Sequence, residues 1–168
     1  MGNEASPVSR SQNELEAIAL QLEAFMPYRL NVLAATVSEG LARVYSAQFG
    51  IDIPGWRVIA TLGQFGAKTA KAIGQHTHMH KTKVSRAIAD LEKRGYVKRL
   101  PNPHDKREAF VSLVDAGRKV YEEIVPLARE YQTQLLTVLS KREQDILDKI
   151  LFALSGEADR LLIGSLQG

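Results

Sequence analysis

Between His76 and Arg107 the chain reads HTHMHKTKVSRAIADLEKRGYVKRLPNPHDKR, and this run limits the fold more than any other stretch. Val84, Ile88 and Leu91 recur at three- and four-residue spacing, which predicts an amphipathic helix over Lys81 to Arg94. Gly95 stands where a helix is stopped, because glycine accepts the left-handed backbone that follows the last turn. Tyr96 to Leu100 alternates as a strand, Pro101-Asn102-Pro103-His104-Asp105 is turn chemistry, and Glu108 to Leu113 alternates again. The expected unit is a helix followed by a two-stranded ribbon.

Its charge is one-sided. Lys81, Lys83, Arg86, Lys93, Arg94, Lys98, Arg99, Lys106 and Arg107 face only Asp90, Glu92 and Asp105. Lys81, Thr82, Lys83, Ser85 and Arg86 crowd the start of the helix and cannot all be buried. Such a helix start supplies the donors and acceptors that read major-groove base edges. Lys98, Arg99 and Lys106 add charge for the phosphate backbone, and Arg107 at a ribbon tip is placed to enter a neighbouring minor groove. Helix, glycine stop and basic ribbon together make a winged helix-turn-helix pattern. The net charge over 168 residues is only +3, so it is the clustering that points to double-stranded DNA.

The rest of the chain frames this head. Met1 to Gln12 reads as a disordered tail. Residues 13–50 read as N-terminal helices: Leu15, Ile18, Leu22 and Phe25 keep helical spacing up to a stop at Pro27, and a second helix runs from Tyr28 to about Phe49. Asp52-Ile53-Pro54 opens the head, which spans 51–114, and Thr69 to Arg94 forms its helix-turn-helix. From 115 to 168 come two more helices, the first containing Pro126 and the second opened by a Ser140–Glu143 capping box. In the last helix Leu147, Ile150, Leu151, Phe152 and Leu154 occupy more than one face. That predicts a dimer made by the terminal helices, with two heads presented to a pseudo-palindromic operator. The fold class expected is mainly α with a small β-hairpin wing: a winged helix-turn-helix head plus N- and C-terminal dimerisation helices.

The runs KTKVSRAIADLEKRGYVKRL and DKREAFVSLVDAGRKV resemble the MarR family of bacterial regulators, and the resemblance extends from about Tyr28 to Leu162. It implies a homodimeric transcription regulator, a repressor, in which Asp105 pairs with Arg107 and orients it. It also implies a small effector, an aromatic acid or a coenzyme A thioester, held where the dimer helices meet the head. By position, Met26, Tyr28, Arg29 and Trp56 are the effector residues. Two positions depart from the family pattern. His80 stands where an Asp or Ser cap is usual, and Val114 replaces a Thr, which leaves Asp115 as a candidate cap.

Other chemistry has little to build on. The chain contains no cysteine, which removes disulfides, thiolate metal sites and a cysteine redox switch. His76, His78 and His80 would share a face in an extended loop, so a metal-responsive regulator is one alternative; phosphate contact or capping is the other use of the run. An effector-independent architectural DNA-binding protein is a further alternative. Ser85 lacks the glycine elbow of a nucleophile, and phosphate loops and dinucleotide fingerprints are absent, so an enzyme is not expected and no cofactor is assigned. No apolar run is long enough to span a bilayer, and the start of the chain has no signal-peptide core; a cytoplasmic protein is expected.

Overall fold

The computed structural model describes residues 20–103, 105 and 107–164. The tail, the expected helix from Leu15 up to residue 19, His104 and Lys106 lie outside these residues. The chain divides into two compact units, Met1–Gly40 and Leu41–Gly168.

Leu22 to Ala24 form a turn, and helix α1 begins at Met26 in the first unit and ends at Phe49 in the second. Pro27, expected to end or kink the preceding helix, lies in the first turn of α1, and residues 20–25 hold a turn rather than the end of a helix. A first-turn proline lacks only an N–H that would have no partner there anyway. Met26, Tyr28, Leu30, Val32 and Leu33 are all exposed.

The second unit holds the core. Helix α2 spans Ile53–Phe65. Asp52 caps it by accepting the Gly55 N–H at 2.8 Å, Pro54 sits in its first turn, and Gly66 ends it at φ 73°. Strand β1, Lys68–Thr69, leads into helix α3, Ala70–Thr77, which Thr69 caps through the Ala72 N–H at 3.2 Å. Helix α4 covers Lys81–Lys93 and is followed by strands β2, Val97–Pro101, and β3, Ala109–Leu113. Helix α5 runs Asp115–Leu136 with Pro126 inside it, and helix α6 runs Lys141–Gly164.

The sheet has three antiparallel strands in the order β1-β3-β2, one more than the expected ribbon. Thr69 pairs with Phe110, Arg99 with Val111 and Val97 with Leu113. The core joins Tyr45 of α1, Val58, Ile59 and Leu62 of α2, Ile73 of α3, the inner stripe of α4, Val97 and Val111 of the sheet, and Ile124 of α5. Burial of these side chains, each worth about 1.5–3 kcal/mol, holds the three head helices against the sheet.

Helices α2, α3 and α6 start on side-chain caps, and α5 does not. The capping box at α6 is complete: the Glu143 carboxylate accepts from both the Ser140 N–H and hydroxyl at 2.7 Å, and Ser140 Oγ accepts the Glu143 N–H at 3.4 Å. At α5 the cap position is Val114, which offers no side-chain acceptor, and Asp115 is the first helical residue rather than the cap. Its charge still opposes the partial positive charge of the helix start.

Candidate nucleic-acid interface

Helix α4 is divided lengthwise. Val84, Ala87, Ile88 and Leu91 are buried, between 0% and 6% exposed, and fix which way the helix faces. Lys81, Thr82, Lys83, Ser85 and Arg86 are thereby turned outward, and all five are exposed. Among the described residues none of Lys81, Lys83 and Arg86 is in an ion pair. A groove of about 550 Å³ runs beside them, lined by Asp52, Pro54, His80, Thr82, Lys83 and Arg86 among others. These donors are at the surface, uncommitted, and on a helix held rigidly by its apolar stripe.

The turn before α4 gives each histidine of the run a different task. His76 lies edge-on to Phe65, with ring centroids 4.7 Å apart. His78 takes the left-handed backbone at φ 51°, ending α3 as glycine usually does; Met79 N–H reaches back to Gly74 O at 3.1 Å. His80 is the N-cap of α4, its Nδ1 accepting the Thr82 N–H at 3.4 Å. So His80, which departs from the family pattern, fills the capping place itself. No group of three metal-binding side chains occurs among the described residues.

At the other end, α4 closes in a Schellman arrangement. Tyr96 N–H bonds Leu91 O at 2.9 Å and Gly95 N–H bonds Glu92 O at 3.0 Å, with Gly95 at φ 72°. The chain then turns directly into β2. Lys98 and Arg99 are exposed on this strand. Arg99 is committed: its Nε meets Glu92 Oε2 at 3.1 Å. Arg94 likewise pairs with Asp90 at 2.7 Å.

At the wing tip Asp105 and Arg107 are both exposed. The Asp105 carboxylate accepts the backbone N–H of Arg107 at 2.9 Å, while its own N–H bonds Asn102 Oδ1 at 3.3 Å. This is a side-chain-braced turn: Asp105 sets the backbone from which Arg107 projects. Of the sequence-derived DNA residues, Lys106 alone falls outside the described part.

The four residues expected from the family resemblance to contact an effector fall in different units. Met26, Tyr28 and Arg29 are exposed on the first unit. Trp56, in the second, is half-buried between Tyr45 and Tyr121, with ring centroids 5.6 and 6.4 Å away. It also lines a cavity of about 240 Å³ with Arg57, Ala60, Thr61, Gln64, His76 and Thr77. Arg57, Gln64 and His76 join Trp56 at this cavity without having been expected there; the i, i+4 and i+8 spacing of Trp56, Ala60 and Gln64 was the signal available for that grouping. Burial, with the nearby Asp52 charge adding and Arg57 opposing, pushes the Tyr45 phenol up to about 12.

Comparison with known proteins agrees with this geometry. The family model described as "MarR family" matches residues 49–108, from the end of α1 to the wing. YwaE, an HTH-type transcriptional regulator of Bacillus subtilis, is 26% identical over 103 residues, which are 61% of this chain and 60% of YwaE. The chain thus spans about three fifths of the length of the first curated relatives it matches. A MarR/EmrR family transcriptional regulator from Acinetobacter sp. ADP1 superposes with a TM-score of 0.76 at 26% identity, over 84% of this chain and 99% of that one. Sco3205 of Streptomyces coelicolor, a MarR family regulator solved in complex with DNA, superposes at 0.70 over 82% of this chain and 88% of its own. At 24% identity that last likeness is one of fold. These relatives are transcriptional regulators rather than enzymes. The helix-turn-helix, the basic wing and the family model all fall on the same stretch, so residues 49–108 form a winged helix-turn-helix of the MarR kind.

Proposed function

We propose that this chain is a sequence-specific DNA-binding transcriptional regulator that works in the cytoplasm as a homodimer and represses until a small effector releases it. The observation that carries the reading is the division of α4. Its buried stripe holds Lys81, Thr82, Lys83, Ser85 and Arg86 outward as one rigid row. In this reading the row enters the major groove, Lys98 and Lys106 meet phosphates, and Arg107 reaches the minor groove from the turn braced by Asp105.

The dimer is supported by α6, which has no buried residue although Ile146, Ile150, Leu151 and Leu154 lie along it. An apolar face of that kind calls for a partner surface. The effector reading is supported by Trp56 and Arg57 in one cavity, an aromatic wall beside a cation that suits an aromatic carboxylate or a thioester's phosphates. A ligand there releases DNA only through a difference in its affinity for the two head arrangements.

The test is selection of bound duplexes from a random DNA pool, followed by a gel shift on the enriched sequence. Enrichment of an inverted repeat, and its release by one member of a panel of aromatic acids and coenzyme A thioesters, is the expected result. A pool that never converges and binding that vanishes with modest salt would overturn sequence-specific regulation. Trp56 is the chain's only tryptophan, so its fluorescence gives an independent titration of the same panel.

A further inference from the structure

Glu92 and Arg99 are seven residues apart, too far for a pair along one helix, yet their side chains meet at 3.1 Å. Gly95 makes this possible by reversing the chain between them at φ 72°. Alternation along β2 puts Arg99 on the face of Val97, which is buried, and its cross-strand partner Val111 is buried too. The guanidinium therefore leaves the core-side face of the sheet and crosses to the last turn of α4. Lys98, on the opposite face, is exposed and makes no ion pair among the described residues.

We propose that Arg99 is a positioning residue and not a phosphate ligand: the Glu92–Arg99 pair is a strut that sets the angle between α4 and the wing. This rests on the DNA-binding reading above. The Glu92 carboxylate holds the Nε edge of the guanidinium and offsets its charge, so Arg99 is a weaker phosphate partner than Lys98, which has no acid beside it. The recognition helix and the wing reach two different grooves, so contacts at both are made together only at one angle. An exposed pair adds little to global stability. It needs only to favour the wing orientation that DNA requires, which raises affinity without touching DNA.

The experiment compares full-length wild type, Glu92→Gln, Arg99→Gln and the exchange Glu92→Arg/Arg99→Glu. It measures binding to the selected duplex over a series of salt concentrations, and amide hydrogen exchange of β2 and β3 in the free proteins. The strut predicts that both single variants weaken specific binding alike, by about two- to fivefold. It also predicts an unchanged salt slope, faster exchange at Arg99 and Val111, and recovery of most of the loss in the exchange variant. A phosphate role predicts the opposite: Glu92→Gln binds as well as or better than wild type, Arg99→Gln lowers the salt slope by about one, and the exchange variant is worst. That pattern, or unaltered amide exchange in Glu92→Gln, would overturn the proposal. If no duplex is selected, the regulator reading fails, and the exchange measurement still decides whether the strut exists.

Discussion

The backbone carbonyl of Tyr96 occupies the space that a side chain at Gly117 would need. A Cβ built on Gly117 overlaps that oxygen, which also accepts the Val114 N–H at 3.1 Å. The start of α5 is thus seated directly on the junction between α4 and β2. Gly117→Ala gains helix propensity but must push these backbones apart, and the net loss should be about 1–3 kcal/mol. Urea unfolding reads this as a lower midpoint; an equal or higher one would show that the two segments part easily.

His78 is the only non-glycine residue at positive φ among those described. His78→Gly should stabilise the fold by roughly 1 kcal/mol, since a left-handed backbone is strained for any residue with a Cβ. His78→Ala keeps the strain and should bring no such gain. Thermal unfolding of both variants separates backbone from imidazole: equal midpoints would place the importance of His78 in its side chain.

Tyr45 sets an alkaline limit. Its phenol ionises near 10.0 in an unfolded chain and at about 12 in the fold. Above pH 10 the unfolded chain releases a proton that the folded chain keeps. This contribution is therefore complete below pH 10 and is lost as pH rises toward 12, by at most about 1.4 kcal/mol per pH unit. Tyr45→Phe should unfold at a higher alkaline midpoint relative to its own neutral-pH stability. Absorbance of tyrosinate should show one of the five tyrosines ionising only with unfolding.

Acid acts at the other end of the chain. Hydrogen bonds from the Ser140 hydroxyl and N–H hold the Glu143 carboxyl below its ordinary range. A folded-state value below the unfolded one means that the box stabilises fully above the ordinary glutamate value and fades as pH falls beneath it. Ser140→Ala should lower the thermal midpoint at neutral pH and matter less in acid. A pH-independent difference would argue against the charge-assisted bond.

At the wing, Arg107→Ala should weaken binding to the selected duplex by about 1–3 kcal/mol. Asp105 separates two ways of supporting that arginine. Its observed bond is to the Arg107 backbone N–H, which an asparagine side chain can also accept. Asp105→Asn should then bind DNA nearly as wild type does, while Asp105→Ala loses affinity. If Asn fails as badly as Ala, the negative charge itself matters and the guanidinium is its partner.

The parts of this molecule that were legible in sequence are those settled by neighbours within a few residues. The stripe Val84, Ile88, Leu91 and the stop at Gly95 are local periodicity and local backbone chemistry, as is the Ser140–Glu143 box. Pro27 shows the edge of that method. Proline ends one helix and opens another by the same missing N–H, and only the path of the preceding residues decides between them. Strand β1 was invisible because two residues carry no period, and its partner lies some forty positions away. His78 was unreadable because histidine gives no hint of a left-handed turn. Arg99 looked like one more wing cation until the reversal at Gly95 brought Glu92 beside it. Exposed charges are interchangeable in a sequence, and only geometry says which are already spent.

Thr69 belongs to two structures at once. It is the last residue of β1, paired with Phe110 of the wing's return strand, and it is the cap that begins α3. The wing is consequently geared to the helix-turn-helix rather than hinged on it. A tilt that carries Phe110 sideways also moves the first turn of α3, and with it the helix on which α4 rests. Tilting the wing and rotating α4 are then one motion, with Thr69 as its axle.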